Sequence, residues 1–186
     1  MSQTSPITLM AIEKAQGLQA LLFASVNEPS TGIHHFLKVL ALSPTALSAY
    51  SELQSINQNG NLDKPTSIRI ALTLAAHNQC QSSLALHTAS ARKAGFNSSE
   101  IDSNCTGTSQ DAKGAVAVQF ARNLANLSTN SAKVSTEQWR DIRLAGYNDA
   151  EILEIISHVG MNLLGNELAT NKEIESSELI EAPSTA

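Results

Sequence analysis

The chain has 186 residues, 17 acidic and 12 basic, for a formal net charge of −5, with 42% apolar and 4% aromatic residues. This length supports one ordinary domain burying about 70% of its unfolded surface, and the apolar content excludes general disorder. The acidic excess and the lack of any Lys/Arg run exclude nucleic acid as a main partner, because phosphate binding needs clustered cations.

Apolar residues recur at spacings of three and four, and Val, Ile and Thr nowhere alternate as a half-buried strand requires, so the fold is expected to be all-α. A first helix is predicted over about Pro29–Leu42, carrying Ile33, Phe36, Leu37 and Leu40. Ser43-Pro44 reads as an N-cap with proline at the first helical position. The helix after it carries Leu47, Tyr50, Leu53 and Ile56 and runs to Gly60. Asp63-Lys64-Pro65 opens another, with Ile68, Leu72 and Ala75/Ala76 on one side, ending at Asn78. Asn78 as N-cap with Gln81 three residues on predicts a capping box that places Cys80 in the first turn of the next helix. That helix ends on Gly95 as a left-handed closing residue.

An internal repeat follows. Ala94-Gly95-Phe96-Asn97-Ser98-Ser99-Glu100-Ile101 matches Ala145-Gly146-Tyr147-Asn148-Asp149-Ala150-Glu151-Ile152, and Ile70–Asn78 resembles Ala115–Asn123. Each copy says that a helix ends on glycine, an aromatic packs back, and Asn with Glu three later caps the next helix. The organisation expected is a single helical domain over 1–170, with a motif core at 63–101, a polar linker at about 103–110, a second repeat at 112–155 and an acidic tail at 171–186. No stretch approaches the ~18 apolar residues of a membrane span, no secretory signal pattern is present, and two cysteines make no disulfide framework. A soluble cytoplasmic protein without a membrane partner is expected.

On a helix, positions 80, 83 and 87 lie within about 60° of one another, at 100° per residue. Cys80 at a helix N-terminus has its thiolate favoured by the dipole. His87 is two turns, about 10 Å, further on, so the side chain it can touch is Ser83. His158 is a further imidazole on a helix at 154–165. His34-His35 makes a poor metal pair, because adjacent helical residues diverge by about 100° and no third ligand is in sight. No metal and no cofactor is expected. Trp139, Phe120 and Tyr50 read as core.

Asn78, Cys80, Ser83, His87, Ala91 and Gly95 follow the pattern N-x-C-x-x-C-x-x-x-H-x-x-x-A-x-x-x-G with serine at the second cysteine. This resembles the alkylhydroperoxidase AhpD / carboxymuconolactone decarboxylase family. Leu40-Ala41-Leu42-Ser43-Pro44 and Ala145–Ile155 are similar to further family segments, so the resemblance covers most of residues 30–170. It implies an AhpD-like helical fold, a homo-oligomer, and a small hydroperoxide or lactone as substrate. In the peroxidase branch the second cysteine attacks peroxide and the first resolves the disulfide. Here Cys80 matches the resolving position, Ser83 the attacking one and His87 the motif histidine, while the relay glutamate twelve residues before the first cysteine corresponds to Ile68, next to Arg69. Serine cannot store oxidised sulfur, so the two-cysteine mechanism is excluded. Two active routes stay open: thiol chemistry on Cys80, resolved by Cys105 in a flexible polar segment or by an external thiol, and acid–base chemistry on His87 and His158. A non-catalytic helical oligomer is the third reading.

Overall fold

Proline, asparagine and left-handed turns set the helix boundaries of this chain. In the computed structural model, which describes residues 35–130 and 133–170, the regular elements are helices, and no strand occurs among the described residues. They are α1 (His35–Leu40), α2 (Pro44–Gln54), α3 (Ile56–Asn59), α4 (Lys64–His77), α5 (Gln81–Lys93), α6 (Ser98–Cys105), α7 (Ala112–Asn130), α8 (Thr136–Leu144) and α9 (Asp149–Thr170). No helix among them is long and apolar enough to cross a membrane. Two compact units divide the chain, one spanning Glu52–Asn166 and the other holding the described residues 35–51 and 167–170.

In the smaller unit, Ser43 Oγ accepts from Ala46 N at 3.3 Å, which confirms the serine cap ahead of Pro44. Leu37 and Leu47 are buried, and Phe36 meets Tyr50 edge-on at 5.4 Å. Burial pushes the Tyr50 phenol up to about 12. The predicted first helix is shorter at its C-terminus, stopping at Leu40 rather than Leu42; residues 29–34 lie outside the described residues. The helix expected to run on to Gly60 instead breaks after Gln54. Ser55 turns its hydroxyl back onto Glu52 O at 2.6 Å and its N–H onto the same carbonyl, an arrangement that competes with the helical ladder.

In the larger unit α4 is the central element, buried on nearly every side. Asp63 starts it, Oδ1 accepting from Thr66 N and Oδ2 from Thr66 Oγ1, each at 2.8 Å. Ile70 and Leu74 join Ala117, Phe120 and Ala121 of α7, Ile142 of α8, and Ile152, Ile155 and Val159 of α9. Trp139 closes this cluster, its ring T-shaped to Phe120 at 5.2 Å. Ile68 and Leu72 point the other way, into a second cluster with Ala91 of α5 and Ile101 of α6. One helix thereby separates two apolar cores, which is why its polar positions Thr66, Ser67 and Thr73 are buried and bonded.

The repeat is a real structural unit. Gly95 and Gly146 both take positive φ (87° and 89°), and both turns carry the six-to-one bond, Phe96 N to Ala91 O and Tyr147 N to Ile142 O. Each aromatic then faces a cation, Phe96 the Arg69 guanidinium at 4.9 Å and Tyr147 the Lys113 ammonium at 4.2 Å. Asn97 and Asn148 accept from the N–H of Glu100 and Glu151 as predicted. The linker is shorter than expected, because α6 continues to Cys105 and ends on Gly107.

Gln79 closes α4 with the same bonds, its N–H reaching Ala76 O and Cys80 N reaching Ala75 O, yet it is a non-glycine residue at φ 55°. Left-handed backbone costs an L-residue about 1–2 kcal/mol. Gln79→Gly is therefore expected to stabilise the protein by about 1 kcal/mol, read as a higher urea midpoint at unchanged slope; a lower midpoint would show that the glutamine side chain offsets its own strain.

Candidate functional site

Cys80 sits at the N-cap of α5, in extended backbone (φ −83°, ψ 95°), with 1% of its surface exposed. The expected cap at Asn78 is not formed. Asn78 still belongs to α4, its N–H bonded to Leu74 O at 2.9 Å, and the reversal at Gln79 moves the start of α5 two residues on. Cys80 thus caps the helix rather than sitting within its first turn. Its side chain accepts no backbone N–H; instead Sγ donates to Ser83 Oγ at 3.1 Å and lies 3.5 Å from Ser82 Oγ. Cys80 and Ser83 are brought together directly.

His87 is partly buried one turn beyond Ser83. Leu84 and Ala91, three before it and four after, pack on Ile68 and Leu72, so helical spacing places His87 on the side of α5 that faces α4. Ile68, at the relay-glutamate position, is 8% exposed in that same cluster. Arg69 beside it pairs with Glu100, Nε to Oε1 at 2.7 Å.

Glu100 is only 6% exposed. Besides Arg69, its Oε1 accepts from Ser109 Oγ at 2.6 Å and Asn104 Nδ2 at 3.1 Å, and Oε2 accepts from Gln110 N at 2.7 Å. Burial pushes the carboxyl up, but Arg69 and these donors outweigh it and hold it at about 2. The sequence marks Glu100 only as a cap partner; its pairing with Arg69, 31 residues away, has no local signal.

Cys105 is the last residue of α6, partly buried against Ile68, Leu72, Ala91 and Ile101, and not in a flexible segment as expected. The Asn97 cap and the Glu100 donors hold α6 in place, so its end is ordered. Burial raises the Cys105 thiol, and Asp102 raises it further. Both cysteines are free thiols.

His158 lies on α9, 2% exposed, with Nε2 3.3 Å from Ser67 Oγ. Burial lowers its pKa while Glu154 pulls the other way. Ser67 stands eight residues before Ala75, the carbonyl that receives Cys80 N, which is about 12 Å along α4. His158 therefore belongs to the start of α4 and Cys80 to its end. His34 and the side chain of His35 lie outside the described residues. A cleft of about 240 Å³ opens between α7 and α8, lined by Val116, Phe120, Asn123, Gln138 and Asp141, none of them a motif residue.

Residues 44–126, which hold Cys80, Ser83 and His87, match the model of the Carboxymuconolactone decarboxylase family. The fold is the AhpD-like helical fold. It is similar to an uncharacterized peroxidase-related protein from Ralstonia eutropha JMP134 with an alkylhydroperoxidase AhpD core (TM-score 0.72, 16% identity, 90% of each chain). A peroxidase-related protein from Silicibacter sp. TM1040 superimposes with TM-score 0.68 at 22% identity, over 91% of this chain and 92% of its own. A third similar structure, from Agrobacterium tumefaciens, is of unknown function and provisionally assigned to antioxidant defence as AhpD (TM-score 0.61, 18% identity, 69% of this chain and 88% of its own). None of the curated proteins matches the chain.

The Glu100 network makes a testable contribution to stability. A carboxyl held at about 2 when folded and near 4.5 when unfolded adds about 3 kcal/mol above pH 4.5, lost as pH falls towards 2. Glu100→Gln should lower the unfolding free energy at pH 7 by about 2–3 kcal/mol, with the gap to wild type closing by pH 2 in urea titrations.

Proposed function

We propose that this protein is a single-thiol redox member of the AhpD-like lineage, reacting slowly with small hydroperoxides through Cys80. The observation that carries this reading is the 3.1 Å hydrogen bond from Cys80 Sγ to Ser83 Oγ at the N-cap of α5. A serine hydroxyl is several pKa units weaker an acid than a thiol and cannot be oxidised and re-reduced. Ser83 therefore orients the sulfur by accepting its S–H hydrogen bond, while Cys80 carries the redox change. Cys80 loses its thiol proton to water in the opened site, the thiolate attacks one peroxide oxygen, the O–O bond breaks, and the leaving alkoxide takes a proton from water and departs as alcohol. The sulfur is left as a sulfenic acid. An external low-molecular-weight thiol then attacks it, expelling water and forming a mixed disulfide, and a second thiol molecule releases Cys80 as the two external thiols leave joined. Cys105 is the internal alternative, at the cost of leaving its apolar seat.

With 1% of Cys80 exposed, attack proceeds from a locally opened state, which makes turnover slow. In this reading the protein works in the cytoplasm, where two free thiols persist, and as a homo-oligomer. Hydroperoxide consumption with an external thiol should be abolished in Cys80→Ser and retained in Ser83→Ala; equal consumption by wild type and Cys80→Ser would overturn the proposal. Ser83→Cys restores a sulfur 3 Å from Cys80 and should speed consumption by forming a local disulfide.

The burial of Cys80 favours a second reading, a non-catalytic helical oligomer. It predicts alkylation of Cys80 only through global unfolding, and no peroxide consumption above that of free thiol.

A further inference from the structure

Glu154 and His158 lie one turn apart on α9, Glu154 bonded to the segment that leads into α4 and His158 to Ser67 near that helix's start. Both oxygens of the Glu154 carboxylate are committed there: Oε1 accepts from Asn61 N at 2.9 Å and Asn61 Nδ2 at 2.8 Å, and Oε2 from Leu62 N at 2.7 Å. Gly60 is what admits the carboxylate, since a Cβ at that position would stand 2.7 Å from Glu154 Oε2 and 2.6 Å from Ile56 O. Leu62 is buried in the main core, and Asp63 after it caps α4. The contact thus pins the chain where the central helix begins. Burial would raise the Glu154 carboxyl, but the N–H groups of Asn61 and Leu62 outweigh it and hold it below the usual range.

His158 is buried on the same stretch of α9 and meets Ser67 of α4. The Ser67 hydroxyl also lies 3.3 Å from Asp63 O; where it donates to that carbonyl, the ring is the donor to Ser67 through Nε2. Other titratable groups at this end of α4 are engaged elsewhere: the Asp63 carboxylate holds Thr66, and the Tyr147 phenol lies 3.4 Å from Thr66 Oγ1 and donates to Lys113 O. Glu154 is the charge acting on the ring.

We infer that Glu154 and His158 form an acid-sensitive latch on the start of α4: a proton on His158 makes Glu154 its counter-ion, and the Asn61–Leu62 segment loses its acceptor. A buried imidazolium requires an anion, and a carboxylate whose two oxygens already hold three donors cannot serve both at full strength. The sign follows from burial. The folded ring takes its proton below the ordinary 6.5, so the penalty is absent at neutral pH and grows as pH falls through and below that value.

Amide hydrogen exchange of the full chain, corrected for the intrinsic pH dependence, tests the latch. Between pH 7.5 and a pH below the imidazole's own NMR titration midpoint, protection at Asn61 and Leu62 should fall about fivefold or more while Ile70 and Leu74 keep theirs. His158→Gln keeps an N–H for Ser67 but takes no proton, and should abolish the fall; Glu154→Gln should show weak protection at both pH values. No fall in wild type, an equal fall in His158→Gln, or a fall shared by Ile70 and Leu74 would overturn the inference. Should His158→Gln not fold, the wild-type imidazole titration decides: its midpoint must coincide with that of the Asn61 amide shift, and a separate midpoint refutes the latch.

Discussion

The two-residue reversal between α4 and α5 is the constraint on which the candidate site depends. Asn78 finishes one helix, Gln79 turns through left-handed backbone, and Cys80 begins the next with its N–H still bonded to Ala75. This places Cys80 outside the helical spiral, so its sulfur lies across the first turn and not along it. The thiol then reaches the hydroxyl three residues on, where the family pattern has a second sulfur. Three other reversals of this kind use glycine, at Gly95, Gly107 and Gly146, and only the one next to the candidate thiol, among the described residues, carries a side chain.

The repeat shows how one sequence phrase serves two purposes. In the second copy Asn148 and Glu151 complete a reciprocal cap, each side chain bonded to the other residue's N–H. In the first copy Asn97 does its half, but the Glu100 side chain turns inward to Arg69, Ser109 and Gln110. Glu100 is thus exchanged from a surface cap to a buried ion pair, beside a position that is hydrophobic here and acidic in the peroxidase pattern. Arg69, held between Glu100 and the Phe96 ring, is a structural cation and not a proton carrier.

Much of the fold was legible because its signals are local. Ser43-Pro44, Asp63 with Pro65, and the paired Gly-aromatic-Asn phrases each name a turn by chemistry that neighbours satisfy within three or four residues. The Asn78 cap was misread because the same residue type also ends helices, and the bond that decides it runs back to Leu74. The break at Ser55 was invisible because serine competes only weakly with the helical ladder, and nothing in the local sequence sets it apart from serines inside helices. Of the candidate site, the proximity of Cys80 and Ser83 could be read from spacing. The burial of Cys80 could not, and neither could the pairing of Glu100 with Arg69 or of His158 with Ser67, 31 and 91 residues apart.

Taken together, these features describe a thiol positioned by backbone, partnered by oxygen, and enclosed. Whether that thiol is the redox centre is tested most directly by exposing the protein to less than one equivalent of a small hydroperoxide, trapping sulfenic acid with a dione reagent, and mapping the adduct by mass spectrometry. The account predicts the adduct on Cys80. An adduct on Cys105 alone, or on neither cysteine while peroxide persists, would contradict it.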